Sequence, residues 1–105
     1  MAFKPTFTNG FENGDFVTNI STAVDYKLSD GEKKLFINVE ATAASKTLTL
    51  DLEDGDTVLV TNVGGTNAVT LANVSGDTGT SLAKGKTALV VASTTADAST
   101  VLVLN

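Results

Sequence analysis

From residue 33 onward the chain alternates apolar and polar residues, one segment after another, with Gly, Asp, Asn or Ser at each break. In KKLFINVE, Leu35, Ile37 and Val39 fall on one face. In KTLTLDL, Leu48, Leu50 and Leu52 do the same, with Thr47, Thr49 and Asp51 opposite. TVLVTNV, NAVTLANV, KTALVVAS and STVLVLN continue the pattern. A period of two is the mark of a strand with one face buried. The abundance of Thr, Val and Leu suits a pleated, half-buried surface. A strand and its turn recur about every 10 to 12 residues, the rhythm of antiparallel sandwiches and barrels. The expected fold is therefore all-β, a small antiparallel β-sandwich or barrel. The best helical competitor, NVEATAASKT, is short and leads straight into strict alternation, so residues 41–45 read as a loop.

The acidic stretch DLEDGDTVLV tests whether this is a metal-binding protein. A calcium loop of the EF-hand type wants oxygen ligands at positions 1, 3 and 5, Gly at 6 and a bidentate Glu at 12. Aligned on Gly55, position 1 is Leu50 and position 12 is Thr61, so the pattern fails. Asp54 and Gly55 between two alternating runs read instead as a solvated hairpin turn. Gly64 and Gly65, followed by Thr66 and Asn67, read as a second reversal. Lys84, Gly85 and Lys86 read as a third. No metal ligand set is assigned.

The first third of the chain is different. Phe3, Phe7, Phe11 and Phe16 lie there, and no aromatic follows Phe36. The segment has no clear period, and it carries the turn pairs Asn9 with Gly10 and Asn13 with Gly14. Residues 1–20 are therefore read as an extended N-terminal arm and residues 21–105 as a body with an aliphatic core. A buried Phe is worth about 1.5–3 kcal/mol over an exposed one, so such an arm seeks a surface. It either folds over its own sheet or docks on a neighbouring molecule. Phe16 and Tyr26 are the residues expected in the core. Phe3, Lys4, Pro5, Phe7 and Phe11 are the expected interface.

Composition removes most chemistry. There is no Cys and no His, so disulfides, thiolate sites and the commonest general base are absent. No nucleophile elbow or phosphate loop appears. No catalytic residue and no cofactor are assigned, and the chain reads as a non-enzyme. The net charge is −5 and all cations are Lys, which argues against nucleic acid and anionic membranes as partners. No apolar run approaches the roughly 18 residues of a membrane span, and no secretory leader is evident.

KTLTLDL, GDTVLVTNVGG, NAVTLANV, SLAKGKTALVVAS and STVLVLN together resemble the small all-β modules of bacteriophage virions, over a little more than half the chain. Such modules occur in head fibres, tail fibres and capsid decoration proteins, often as trimers. Many fibre modules carry an aromatic near the final strand, where this chain has Val101 and Leu102. At 105 residues and starting with Met, the chain is smaller than a fibre and is similar to a decoration, or cement, protein. The resemblance implies a homotrimer on the outer surface of the virion, made in the host cytoplasm, whose partner is the major capsid protein. A carbohydrate- or receptor-binding module of a fibre or adhesin is the alternative.

Overall fold

The computed structural model describes residues 16–104. Within them, nine strands follow in order: β1 (Val17–Thr22), β2 (Tyr26–Lys27), β3 (Phe36–Ala41), β4 (Lys46–Thr49), β5 (Thr57–Asn62), β6 (Val69–Ala72), β7 (Thr80–Leu82), β8 (Thr87–Val91) and β9 (Thr100–Val103). A short 3-10 turn, Asp30–Glu32, lies between β2 and β3. All six alternating segments are strands. Strand β1 begins at Val17, inside the stretch read as arm, because Thr18, Ile20 and Thr22 supply it with a buried face.

The strands form two sheets, with order β1-β3-β5-β8-β9 in the larger and β2-β4-β6-β7 in the smaller. The all-β sandwich is as expected, but the antiparallel pairing is corrected. Strands β1, β3 and β5 run parallel to one another, as do β2, β4 and β6. Only β5 with β8, β6 with β7, and β8 with β9 are antiparallel. Parallel neighbours need a crossover between them. Here the crossover is a strand of the opposite sheet: β2 lies between β1 and β3, and β4 between β3 and β5. The first six strands thus make three stacked two-sided coils, and the last three strands close them.

This changes what the turns do. Asp54 and Gly55 do form a turn, closed by a hydrogen bond from Asp56 N to Glu53 O at 3.1 Å. It carries the chain from β4 in one sheet to β5 in the other, so it is an arch and not a hairpin. The turns at Gly64 and at Gly85 also join strands of different sheets. Successive arches are tied to each other: Thr42 N donates to Thr22 O at 2.8 Å, and Val63 N to Val39 O at 2.9 Å.

The core lies between the sheets and is aliphatic. Ile37, Val39, Val58, Val60, Ala88 and Val90 from the larger sheet meet Leu48, Leu50, Leu71 and Leu82. Tyr26 packs against its margin, and Phe16 is half-buried. Two buried asparagines pin the arches. Asn62 donates to Asn67 O and Leu82 O at 2.9 and 3.0 Å and accepts from Gly64 N at 3.1 Å. Asn73 accepts from Leu52 N at 2.8 Å and donates to Leu52 O and Ser93 O at 3.0 and 2.8 Å. Both side chains are fully used, so their burial carries no unpaired-group penalty.

Gly55 and Gly79 both have φ of +83°, a left-handed conformation that strains any other residue. A Cβ at Gly55 meets nothing within 4 Å, whereas at Gly79 it would stand 2.5 Å from Thr70 Cγ2 and 3.0 Å from Leu71 O. Gly55→Ala is therefore expected to cost about 1–2 kcal/mol, the backbone strain alone. Gly79→Ala should cost clearly more, since its contact includes backbone. Urea denaturation of the two variants checks this, and equal losses would contradict the packing described at Gly79.

Candidate functional site

In the smaller sheet the outer face is polar. Thr47 of β4, Thr70 of β6 and Ser81 of β7 are register neighbours there, with Lys27 and Thr49 beside them. The larger sheet is built differently. Its outward residues at one level are Val17, Phe36, Leu59, Leu89 and Leu102, linked pair by pair across all five strands. Phe36 is 41% exposed and Leu102 55% exposed. Val91, one step along β8, adds a further exposed apolar side chain.

A polar row borders this stripe. Asn38 Nδ2 donates to Asn19 Oδ1 at 3.1 Å, and the hydroxyls of Thr61 and Thr87 share a hydrogen bond of 2.9 Å. Beyond it, Glu40 on β3 accepts from Ser21 Oγ at 3.5 Å. Glu40 is the sole charged side chain among the outward residues of these five strands. An apolar stripe rimmed by neutral polar groups has the character of a protein-binding surface.

The signal for this face is present in the sequence, in the places where alternation fails. Leu35, Phe36 and Ile37 are consecutive, as are Val58, Leu59 and Val60. Residues 88–91 and 101–104 are wholly apolar. Strands with apolar residues on both faces are the ones that are covered on both faces. Each of these runs belongs to the larger sheet, while β4 keeps strict alternation in the smaller.

The interface residues expected from sequence, Phe3, Lys4, Pro5, Phe7 and Phe11, lie outside the described residues. The arm joins the body beside the stripe, since Val17 is both the first residue of β1 and the first member of the row.

The acidic groups serve the fold. Asp51 takes a 3.2 Å hydrogen bond from Lys33, which also reaches Asp30 at 3.0 Å, and Lys27 stands 3.8 Å away. The bond from Lys33 chiefly holds Asp51 below its ordinary pKa; burial opposes it, and the charges of Lys33 and Lys27 add to the lowering. Burial disfavours the charge on Lys33, but Asp30 and Asp51 outweigh it and hold its pKa above the ordinary value. Asp54 is exposed, in keeping with a solvated turn, and it also accepts from Thr94 N at 2.6 Å and Thr94 Oγ1 at 2.9 Å, which ties the β4–β5 arch to the β8–β9 loop. Among the described residues no three of Asp, Glu, His or Cys converge as a metal site.

A cleft of about 170 Å³ opens at the side of the sandwich, floored by Leu50, Leu71, Val90 and Val101 and rimmed by Asn73, Asp77, Asp97 and Ser99. Its carboxylates form a clasp between two loops. Asp77 Oδ1 accepts from Asp97 N at 2.6 Å, and Asp97 Oδ1 accepts from Thr78 N at 2.6 Å. Asp77 Oδ2 also accepts from Asn73 N and Val74 N at 2.8 and 3.0 Å. Burial alone would raise the pKa of Asp77, but these three amide bonds lower it on balance. Its carboxylate holds the β6–β7 loop to the β8–β9 loop through these amide bonds.

The pH dependence follows in sign. Asp51 and Asp77 have folded pKa values below the ordinary carboxylate value of about 3.9, so their contribution is complete above that value. It is lost as pH falls through their depressed values. Lys33, shifted upward, contributes fully below its ordinary value of about 10.4 and loses its share only in stronger alkali. Melting temperature should therefore hold between about pH 5 and 9 and fall towards pH 2. Asp77→Ala should lower it at neutral pH and flatten its acid limb; an unchanged acid limb would contradict the clasp.

No family model, no curated protein and no solved structure matches this chain, so its surfaces and its sequence resemblance carry the functional reading.

Proposed function

We propose that this chain is a structural virion protein, a capsid decoration protein that binds the major capsid protein and stabilises the assembled head. The observation that carries the reading is the stripe of Val17, Phe36, Leu59, Leu89 and Leu102, an apolar surface spread over a rigid sheet. A flat stripe of this kind suits another protein better than a small molecule, which is held in a concave pocket. The stripe starts at β1, where the Phe-rich arm joins, so Phe3, Phe7 and Phe11 can extend the same apolar contact onto a capsid subunit. Phe36 and Leu102 are already about half covered, so covering the rest adds roughly half of the 1.5–3 kcal/mol of a whole side chain each. Repetition over a head multiplies weak contacts into stable coating. The virion identity, the homo-oligomeric state and its order as a trimer come from the sequence resemblance. The alternative, a glycan-binding module, is supported by the polar rim of the side cleft, but the amide bonds to Asp77 leave that carboxylate little to offer a sugar.

The test is binding of the purified protein to heads assembled without their decoration layer. The full chain should sediment with them at saturation and raise the temperature at which they rupture. Deleting residues 2–12 should leave the circular dichroism of the body intact and weaken binding, and Phe36→Glu should weaken it by about tenfold or more. Unimpaired binding by both variants would remove the stripe and the arm as the adhesive. Binding to a glycan array in place of heads would favour the alternative.

A further inference from the structure

The larger sheet ends in β9, and among the described residues β9 has no partner on its second side. An exposed edge is a template for another strand, and proteins usually blunt it with charge, proline or a bulge. Residues 100–104 read Thr, Val, Leu, Val, Leu, with none of these devices. Leu102, Val103 and Leu104 are all exposed, at 55%, 42% and 52%. The edges of the smaller sheet are blunted by comparison: β2 has two residues, one of them Lys27, and β7 has three. Strand β1, the other edge of the larger sheet, presents Asn19 and Ser21 outward.

The hydrogen-bond phase of β9 can be read from its pairing. Thr87 is opposite Leu104 in the continuation of the β8–β9 register, and Leu104 N donates to Thr87 O at 2.8 Å. In an antiparallel ladder the residues of one strand direct their backbone groups alternately to either side. Leu104, Leu102 and Thr100 therefore bond towards β8, and the N–H and C=O of Val101 and Val103 face the open edge.

We propose that this edge pairs with the same edge of a second copy of the chain, antiparallel, about a two-fold axis at Leu102. That arrangement is the one in which every feature agrees. Val101 of one copy lies opposite Val103 of the other, which engages all the edge-facing backbone groups reciprocally. The two Leu102 side chains meet on the outer face, and Val101 and Val103 stay on the inner face in both copies, so the pleats match. The apolar stripe then runs unbroken from one protomer into the next. A two-fold contact sets each residue against its own copy or a neighbour's, so any charge in it would meet a like charge. In a chain of net charge −5, the outward residues of β8 and β9 are uncharged, and Glu40 lies two strands away on β3. The occupant of this edge is thus a second copy of this chain. The contact goes beyond the virion role, stands or falls separately from it, and makes the assembly a dimer in place of the trimer that the sequence resemblance implies.

Light scattering on the full chain over a range of concentrations should give the mass of a dimer. Leu102→Lys places two ammonium groups at the axis and should raise the dimer dissociation constant by about a hundredfold or more, with circular dichroism unchanged. Val103→Pro removes an edge-facing N–H while leaving the bonds of β8 to β9 in place, and should also yield monomer. The chain has no cysteine, which makes a single one a clean reporter. Leu102→Cys should oxidise readily to a covalent dimer, because opposed residues of a non-bonded antiparallel pair stand about 4.5 Å apart at Cα, within disulfide range. Leu89→Cys, one strand farther back, should not. A monomeric wild type, or equal crosslinking at both positions, would overturn the two-fold edge. A trimer would overturn it as well, while leaving the decoration reading standing.

Discussion

The contact on which the rest of the molecule depends is the meeting of the two inner sheet faces. Ile37, Val39, Val58, Val60 and Val90 on one side and Leu48, Leu50, Leu71 and Leu82 on the other are buried almost without remainder. Among the described residues neither sheet has a helix to cover it, and the inner face of each is buried by the other. That dependence sets the path of the backbone. A strand that has just left one sheet must bury its next apolar face in the other, and the chain steps back and forth to do so. Parallel neighbours are the consequence of this stepping and not of any local preference.

The polar groups are arranged to permit the stepping. Each crossing exposes backbone donors and acceptors at the edge of an apolar layer, where leaving them unpaired would be costly. Asn62 and Asn73 act as internal turn braces, with each amide bonded on both its oxygen and nitrogen sides. Asp54 and the Asp77–Asp97 clasp do the same at the surface, joining loops far apart in sequence. These carboxylates accept backbone hydrogen bonds that hold the loops together. One surface stands apart from these polar braces, an apolar stripe bordered by a row of Asn and Thr. It is the outer side of the five-stranded sheet, where apolar residues remain after the core is complete.

Strand positions, facing and the aliphatic core were legible because they are set by a local rule, the two-residue period of extended backbone. KTLTLDL and TVLVTNV announce their inner residues without reference to anything else in the chain. Strands β1, β2 and β7 escaped notice, being short or embedded in Asn- and Thr-rich sequence with weak contrast. The apolar stripe was written in the sequence too, as runs in which alternation breaks at Phe36, Leu59, Leu89 and Leu102. Its meaning required knowing that those four residues share one face of one sheet.

The amino-acid sequence by itself determined that this chain is all-β, where its main strands lie, and that no cysteine or histidine chemistry is available to it. Only the tertiary structure decided which strands are neighbours. A glycine turn reverses the chain equally well within a sheet or between two sheets, so Asp54 and Gly55 look the same in a hairpin and in an arch. The choice is made by long-range burial, through the pairing of Phe36 with Leu59 and of Leu48 with Leu71, and no short stretch of sequence contains it.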